Sequence, residues 1–264
     1  STVEKLKDSG VEWIFIDEIS MVNSKIWAAL SDIKKKYDFK FVLFGDFSQL
    51  PAIEKNIYNV KDSEVFAELV DGQLLELTRN YRAENDPEFK IFLKDMMKIR
   101  EGKSINFNKY GNKECRKSIC WTNKTRKIIN QKWNLKESQN SKYITLNNMR
   151  VYKTLPIISK KTYTTGDKDF GYKISNNEEF QVVDFDDKTI TIKSDITNDT
   201  IKIKHEELKH FQLAYCITIH VSQGSTFNHE YSIYEWQYFS KEMLYVAVSR
   251  STQKKFINFC DCDN

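Results

Sequence analysis

Short apolar runs and amphipathic segments alternate along the first part of the chain. Residues 11–16 (VEWIFI) are almost continuously apolar, a pattern typical of a strand buried on both faces of a parallel sheet. Residues 22–36 carry apolar side chains at helical spacing, and residues 39–44 (FKFVLF) form the next apolar run. Strand, helix and strand in this order predict an α/β fold built on a parallel sheet.

The alternation continues to about residue 135 and resumes after an interruption. Before the interruption, the pattern predicts a helix at 62–70, a strand at 73–77, a helix at 86–100, a strand at 117–121 and a helix at 123–135 capped by Asn123. After it, strands are predicted at 213–219, 230–235 and 254–259, with a helix at 239–250. These elements complete the parallel sheet.

The interruption, at about residues 140–212, has a different pattern. Segments such as YITL, EEFQVVDF and KTITIK alternate apolar with polar residues, and turn residues such as Asp186-Asp187 and Asn198-Asp199 separate them. This pattern predicts a small antiparallel β-barrel inserted in the α/β domain.

Composition narrows the class of protein. The 264 residues are 40% hydrophobic and 30% charged, which excludes disordered and collagen-like chains. No apolar run approaches the roughly 18 residues of a membrane helix, so we expect an intracellular protein without a membrane partner. The net charge is only +4, and any nucleic-acid surface is therefore expected to be a local patch.

The cysteines do not form a recognisable metal or disulfide pattern. Their number is odd and the chain lacks a secretory signal, so reduced thiols are the default expectation. A zinc site that combines them with His205 or His210 is the weaker alternative, because the spacings C-x4-C and C-x-C are poor for zinc. The five are Cys115, Cys120, Cys216, Cys260 and Cys262.

Two strand ends carry the most informative chemistry. Asp17 and Glu18 follow the first apolar strand directly, at the edge where open α/β sheets bind ligands. One carboxylate suits Mg²⁺ and its neighbour suits activation of a water molecule, although taken alone the pair is equally well interpreted as a solvated strand end. After the second strand, Gly45 supports a tight turn and Gln49 offers an amide to a phosphate or its attacking water.

Five ordered motifs resemble those of superfamily 1 helicases, especially the five-prime to three-prime branch typified by RecD and the petite-integration-frequency helicases. They cover nearly the whole chain, and the last two are highly specific. In order, they are a Walker B-like segment at 17–22 (DEISMV), motif III at 45–53 (GDFSQLPAI), motif IV at 77–89, motif V at 214–227 (AYCITIHVSQGSTF) and motif VI at 244–256 (LYVAVSRSTQKKF).

The resemblance implies two RecA-like domains that bind ATP and Mg²⁺ in a cleft and single-stranded DNA across both. The first domain would be incomplete and would comprise residues 1–85. The second would comprise residues 86–138 and 213–264, with an SH3-like barrel at 139–212. It further implies an intracellular enzyme of DNA replication or repair, acting as a monomer at duplex junctions, with RNA as an alternative substrate.

The resemblance also implies a role in ATP hydrolysis for five residues. Asp17 would hold Mg²⁺ and Glu18 would activate the attacking water. Gln49 would sense the terminal phosphate. Arg82 and Arg250 would act as arginine fingers, which stabilise the charge that develops on the phosphoryl oxygens. The chain has only seven arginines, so their occurrence in motifs is informative, although a surface salt bridge is the alternative for each.

Motif V would supply contacts to both ligands. Gln223 and Gly224 would approach the nucleotide, whereas His220 and Ser222 would face the nucleic-acid strand. Two positions depart from the branch pattern: Val221 stands where a lysine is usual, and Ala83 stands where a glutamine is common. Aromatic and basic residues are interleaved along the chain, but the pattern does not identify the residues that stack on bases.

The resemblance is incomplete in one respect. The family needs a phosphate-binding loop, G-x-x-x-x-G-K-[ST], before Asp17, and the sequence has none there; Gly102-Lys103-Ser104 lacks the first glycine and lies in the wrong order. We therefore expect the chain to be the C-terminal part of a helicase and to be inactive as an ATPase alone. The alternative is a nucleic-acid-binding or scaffold module without ATPase activity.

Overall fold

The computed structural model describes residues 2–52, 54, 59–98, 110–166 and 171–261. The chain divides into two compact units, one formed by Ser1–Lys103 with Ser240–Val246 and the other by Ser104–Phe239 with Ala247–Asn264. Within the described ranges, no helix is long and apolar enough to span a membrane. The segment Gly102-Lys103-Ser104 lies outside the described residues.

The first unit contains a parallel strand pair and its helices. β1 and β2 pair in parallel, with Trp13 opposite Lys40 and Ile16 opposite Leu43, so the predicted strand–helix–strand unit is confirmed. The elements in chain order are α1 (Thr2–Asp8), β1 (Trp13–Ile16), α2 (Ser24–Tyr37), β2 (Lys40–Leu43), α3 (Glu64–Leu69) and α4 (Pro87–Lys98).

Helix α2 closes the core of the first unit. It begins at an N-cap, Asn23, whose side chain accepts a hydrogen bond from the Ile26 N–H at 3.0 Å. Trp27 on its inner face is buried, donates from Nε1 to the Val22 carbonyl at 2.9 Å, and meets Phe66 edge to face. The core therefore lies between α2, α3 and one face of the β1–β2 pair.

Two predictions for the first unit are wrong. β1 is buried on one face only, since Trp13 and Phe15 point outward and Phe15 is 66% exposed, stacked on Phe44. Residues 73–77 form no strand, and Leu75 is 86% exposed. A strand requires a neighbouring edge with free backbone groups, and none of the described residues pairs with this segment.

The second unit is built around a four-stranded parallel sheet with the order β13-β3-β14-β15. Ile119 in the centre stands opposite both Ile217 and Ile233, and all three side chains are buried. The elements are β3 (Lys117–Cys120), α5 (Asn123–Ser138), β4 (Tyr143–Leu146), β5 (Met149–Tyr152), β6 (Pro156–Ser159), β7 (Tyr163–Thr165), β8 (Tyr172–Ile174), β9 (Glu179–Phe185), β10 (Thr189–Ser194), β11 (Thr200–Lys204), β12 (Phe211–Leu213), β13 (Cys216–Thr218), β14 (Tyr231–Tyr234) and β15 (Ile257–Cys260). Helix α6 (Lys241–Ser249) is divided between the units, since its residues up to Val246 belong to the first.

The insert consists of antiparallel strands. Its main sheet has the order β11-β10-β9-β6-β12, and the hairpins β4–β5 and β7–β8 accompany it. Ile190 and Ile192 on alternate positions of β10 are fully buried, as the period-two pattern predicts. The SH3-like form of this insert, and the domain boundaries inferred above, stay predictions.

The predicted strand at 213–219 is divided between two sheets. Leu213 ends β12 of the antiparallel sheet, and Cys216 begins β13 of the parallel sheet. Between them, the Ala214 N–H donates to the Pro156 carbonyl at 3.0 Å, whereas the Tyr215 carbonyl accepts from Ser118 N–H at 2.7 Å. The apolar run therefore connects the two sheets, because the backbone groups of Ala214 and Tyr215 bond to different sheets.

The N-cap of helix α5 is Thr122 and not the predicted Asn123. The Thr122 hydroxyl accepts from the Thr125 N–H at 3.2 Å. The Glu235 carboxylate accepts from the N–H groups of Trp121 and Thr122 at 2.8 and 2.7 Å, and from both threonine hydroxyls. Burial raises the pKa of Glu235, but these hydrogen bonds outweigh it and the pKa is lowered overall.

Two asparagines one turn apart attach α5 to two different strands. Asn130 donates to the Cys216 carbonyl at 2.8 Å and accepts from the Cys216 N–H at 3.0 Å. Asn134 makes the same paired contacts with the Arg150 backbone, at 2.8 and 3.0 Å. The helix thus satisfies the outer edge of β13 and holds the β4–β5 hairpin against the parallel sheet.

Candidate functional site

Asp17 and Glu18 lie directly after β1, at the carboxyl end of the parallel pair. Glu18 adopts the left-handed conformation, with φ 53° and ψ 45°, and its N–H donates to Asp17 Oδ1 at 2.8 Å. A left-handed backbone is unfavourable for a residue other than glycine, and such strain is concentrated at functional sites. The turn therefore holds two adjacent carboxylates in a fixed local arrangement.

The ends of β1 and β2 are tied together by backbone contacts. The Phe44 N–H donates to the Ile16 carbonyl at 2.8 Å, and the Ile19 N–H donates to the Phe44 carbonyl at 3.1 Å. Gly45 follows, and a Cβ at this position would lie 2.6 Å from Ile19 Cγ1 and 2.8 Å from Ile19 N. Only glycine permits this close approach, so the glycine of the second turn sets the position of the carboxylate turn.

The turn after β2 positions Gln49. Asp46 Oδ1 accepts from the Ser48 N–H at 2.8 Å and from the Ser48 hydroxyl, and the Asp46 carbonyl accepts from the Gln49 N–H at 2.9 Å. Gln49 Oε1 is buried and has no hydrogen-bond partner among the described residues. Such a buried acceptor is uncommon and suits a ligand that donates a hydrogen bond.

Sequence reasoning did not single out Asp46 as the residue that organises this turn. The signal that could have found it is the Asp-x-Ser spacing, which is typical of an Asx turn.

The first unit has donors for Mg²⁺ but not a complete metal cage. Within the described part of the chain, no three His, Cys, Asp or Glu side chains cluster to hold a metal ion. Mg²⁺ is commonly held by one or two carboxylates together with the phosphate oxygens of a substrate. Asp17 and Glu18 fit that arrangement.

Arg82 lies half-buried in the turn that precedes α4. The following residue, Ala83, is fully buried, and its N–H donates to Asn80 Oδ1 at 3.2 Å. Arg79 beside it forms an ion pair with Glu84, although both side chains are substantially exposed. Ala83, the departure noted in the sequence, therefore packs inside this turn.

A compact turn follows β13 and carries the motif V residues. Ser222 is fully buried, and its Oγ donates to the Ile219 carbonyl at 2.8 Å. Gly224 adopts φ 80°, and both side-chain polar atoms of Gln223 are buried without partners among the described residues. Burial lowers the pKa of His220, so its imidazole is expected to be neutral near physiological pH.

Arg250 lies against the same turn. The Phe227 N–H donates to the Arg250 carbonyl at 2.7 Å, and the Phe227 carbonyl accepts from the Thr252 N–H at 3.0 Å. Arg250 is only 2% exposed, and its Nη2 donates to Ser249 Oγ at 3.1 Å. A guanidinium buried to this degree requires hydrogen bonds or counter-charges, which makes a surface salt bridge a poor description of this arginine.

The structure groups the predicted site residues by unit. Asp17, Glu18 and Gln49 lie at the ends of neighbouring strands in the first unit, and Arg82 belongs to the same unit. Gln223 and Gly224 lie on the turn whose continuation pairs with the Arg250 segment in the second unit. The catalytic and binding roles of these residues stay predictions.

The free cysteines described are Cys115, Cys120, Cys216 and Cys260, all buried, and no metal-ligand cluster forms around them. Burial raises the pKa of Cys260 to about 11. Burial also raises the pKa of Cys115 and Cys216, so these two thiols and that of Cys260 are protonated near neutral pH and are poor nucleophiles.

Comparisons with known proteins agree with the motifs. Residues 213–257 match the UvrD-like helicase C-terminal domain. No curated protein matches the chain in sequence.

Three solved helicase structures are similar along nearly the whole chain. Pif1 helicase from Candida albicans has a TM-score of 0.71 at 17% identity, over 99% of this chain and 77% of that one. A structure of two coordinating Pif1 helicases on forked double-stranded DNA has a TM-score of 0.66 at 22% identity, over 97% and 70%. Pif1 helicase from Bacteroides, in complex with ADP-AlF3 and single-stranded DNA, has a TM-score of 0.61 at 22% identity, over 97% and 72%.

The resemblance to superfamily 1 helicases that the motifs predict is thereby confirmed, and the chain has the α/β fold of the Pif1 helicases.

Proposed function

We propose that this chain carries the motor residues of an ATP-dependent DNA helicase that moves five-prime to three-prime along single-stranded DNA and opens duplex junctions. The observation that carries the proposal is the joined pair of turns in the first unit. There, Ile19 follows the strained Asp17-Glu18 turn and lies against Gly45, and the loop that begins at Gly45 presents the buried Gln49 Oε1, which has no hydrogen-bond partner among the described residues. The similarity to Bacteroides Pif1, which was solved in complex with ADP-AlF3 and single-stranded DNA, supports a nucleotide and single-stranded DNA as the ligands of this chain.

The proposed roles follow from the chemistry of each side chain. Asp17 would hold Mg²⁺, which neutralises charge on the nucleotide phosphates. Glu18 would accept the proton of the attacking water, and Gln49 would orient that water or the terminal phosphate. Arg82 and Arg250 would donate hydrogen bonds to the phosphoryl oxygens as negative charge develops on them.

The 264-residue chain alone is expected not to hydrolyse ATP. Its sequence contains no G-x-x-x-x-G-K-[ST] segment, whose backbone N–H groups and lysine supply most of the binding to the β- and γ-phosphates. Robust ATP hydrolysis by the isolated chain would contradict this expectation.

The helicase proposal is tested with the protein expressed from its own gene. Unwinding is measured on forked duplexes with either a five-prime or a three-prime single-stranded tail, with ATP and Mg²⁺. We expect unwinding of the five-prime-tailed fork, and its loss in Glu18→Gln while single-strand binding is retained. Glu12→Gln, an exposed carboxylate before β1, is the matched control and should unwind normally.

A nucleic-acid-binding module without ATPase activity is the second candidate, favoured by the missing phosphate-loop sequence. Under that reading, single-strand binding would be unaffected by ATP and Glu18→Gln would change nothing measurable. An RNA helicase would instead unwind RNA forks in preference to DNA forks, because a 2′-hydroxyl would contribute contacts.

We place the proposed DNA helicase activity inside the cell, in DNA replication or repair.

A further inference from the structure

The end of helix α6 leads directly into residues 250–252, the Arg250 segment. The helix ends at Ser249, and the last carbonyls of an α-helix have no partner within the helix. The Ser251 N–H, which would continue the helical pattern by bonding to the Ala247 carbonyl, donates to the Val248 carbonyl at 3.2 Å instead. The Ala247 carbonyl therefore needs a donor from outside the helix.

Tyr231 supplies that donor. Its hydroxyl donates to the Ala247 carbonyl at 2.7 Å and lies 3.4 Å from the Val248 carbonyl. The Tyr231 side chain is fully buried, so water does not compete for this hydrogen bond. Arg250 follows Ala247 by three residues, and the bond therefore restricts the backbone from which the guanidinium extends.

Phe227 provides a second connection between Tyr231 and the Arg250 segment. The Phe227 N–H donates to the Arg250 carbonyl at 2.7 Å, and the Phe227 carbonyl accepts from the Thr252 N–H at 3.0 Å. The Phe227 ring meets the Tyr231 ring edge to face, with 4.9 Å between the ring centroids. Tyr231 therefore supports the Arg250 segment both directly and through Phe227.

The parallel sheet fixes Tyr231 in turn. Tyr231 begins β14, which lies between β3 and β15, and it stands opposite Lys117 on one side and Ile257 on the other. All four residues of β14 are buried. A buried strand that is bonded on both edges is among the most rigid elements of a fold, so it is suited to hold a side chain in one position.

The position of an arginine finger decides its effect on the reaction rate. A guanidinium stabilises a phosphoryl transition state only where its N–H groups point at the oxygens that gain charge. A misplacement of about 1 Å can cost roughly 100-fold in rate. Arg250 is almost completely buried, so its side chain has little room to compensate for a shift of its backbone.

We propose that Tyr231 is a positioning residue for Arg250, and that its hydroxyl holds the end of α6 so that the guanidinium reaches the phosphoryl group. The inference rests on the proposed function, since it requires Arg250 to act as an arginine finger. Tyr231 itself lies outside the helicase-like motifs, in the stretch between motif V and motif VI.

The test measures ATP hydrolysis, stimulated by single-stranded DNA, in the protein expressed from its own gene. Tyr231→Phe removes only the hydroxyl and keeps the volume of the ring. We expect kcat to fall about 5- to 50-fold while KM for ATP stays within about twofold, because the arginine acts on charge that develops in the transition state. Tyr163→Phe is the matched control and should keep both constants, since the Tyr163 hydroxyl is buried and has no hydrogen-bond partner among the described residues.

A double-mutant cycle separates positioning from general stabilisation. If Tyr231 acts through Arg250, Tyr231→Phe should have no further effect on kcat in an Arg250→Ala background. A merely structural tyrosine would lower kcat by the same factor in both backgrounds. Far-ultraviolet circular dichroism shows whether each variant is folded.

A second measurement is independent of activity. The Phe227 and Thr252 amides are both hydrogen-bonded between Phe227 and the Arg250 segment, so their hydrogen exchange in the 264-residue chain reports on the position of that segment. We expect Tyr231→Phe to speed the exchange of both amides about 5- to 50-fold, because the buried Ala247 carbonyl loses its donor. Tyr163→Phe should leave both exchange rates unchanged.

The outcomes distinguish this inference from the proposed function. An active wild type together with unchanged kcat or unchanged exchange in folded Tyr231→Phe overturns the role of Tyr231 and leaves the helicase proposal intact. An equal loss of kcat in the Arg250→Ala background, or loss of the fold in Tyr231→Phe, also overturns that role, because the hydroxyl would then stabilise the sheet as a whole. A folded wild type that does not hydrolyse ATP overturns the proposed function, and the role of Tyr231 with it.

Discussion

Replacing Gly45 with alanine tests whether the turn after β2 fixes the position of the turn after β1. The added Cβ would lie 2.6 Å from Ile19 Cγ1 and 2.8 Å from Ile19 N, closer than carbon atoms in proteins approach each other. Ile19 is buried, so it has to move together with the backbone that follows Glu18.

The magnitude can be worked from these contacts. Overpacking a buried site costs about 1–3 kcal/mol, and loss of the hydrogen bond from Ile19 N–H to the Phe44 carbonyl adds about 1 kcal/mol. Removing glycine from the unfolded chain offsets about 0.4–1 kcal/mol. We therefore expect a net local destabilisation of about 1–3 kcal/mol, together with displacement of the Asp17-Glu18 turn.

Hydrogen exchange of the amides of Ile19 and Phe44 measures the local destabilisation in Gly45→Ala, because both amides are hydrogen-bonded across the ends of β1 and β2. A change of this size speeds their exchange about 5- to 150-fold. Gly72→Ala is the control for backbone strain without overpacking, since φ at Gly72 is 69° and a Cβ there meets no atom within 4 Å; it should leave both amides unchanged. Unchanged exchange in folded Gly45→Ala would refute the reasoning.

Two other predictions concern helix α5 of the second unit. Glu235→Ala leaves two half-buried N–H groups without their acceptor and should cost about 2–3 kcal/mol, whereas Glu206→Ala at an exposed site should cost under about 0.5 kcal/mol. The pKa of Glu235 is lower in the folded protein than in the unfolded chain, where it is about 4.3. The charged carboxylate therefore contributes its full stabilisation above the unfolded pKa, and this contribution is lost as the pH falls through the folded pKa. Melting temperatures of wild type and Glu235→Gln, measured from about pH 7 to about pH 3, should converge at the acid end. Asn130→Ala removes both contacts to the Cys216 backbone and should cost about 2–3 kcal/mol in the same melts, and equal stability of Asn130→Ala and the exposed Asn140→Ala would contradict it.

The spacing of apolar residues predicted the helices and strands that bury one face. The helical face of 22–36 became α2, with the cap and apolar face expected of it, and the alternating run in 189–194 became β10 with every second residue buried. The motifs that follow β1, β2 and β13 were informative because they occupy strand ends and turns, where few residue types are compatible with the backbone. Gly45 is the clearest case.

Other features depend on contacts that no local pattern contains. An apolar run such as 213–219 predicts burial but not which sheet supplies the neighbours, and here two sheets divide it. The strand predicted at residues 73–77 is absent for the same reason. The composition of this segment suits a strand, but no strand edge among the described residues pairs with it. Asn130 gave no signal at all, because an asparagine within a helix is ordinarily a solvated residue and its partner lies 86 residues away.

Helix α5 connects these observations, because one helix is bonded to both the parallel sheet and the insert. Its N-terminus is held by Glu235, Asn130 bonds it to β13, and Arg126 donates to Gln212 of β12. Strand β13 ends at Thr218, whose carbonyl accepts from the Ser222 N–H at 3.0 Å in the turn that follows. Because Asn130→Ala releases β13 from the helix, it should also speed exchange of the Ser222 amide, and an unchanged exchange rate in the folded variant would contradict this link.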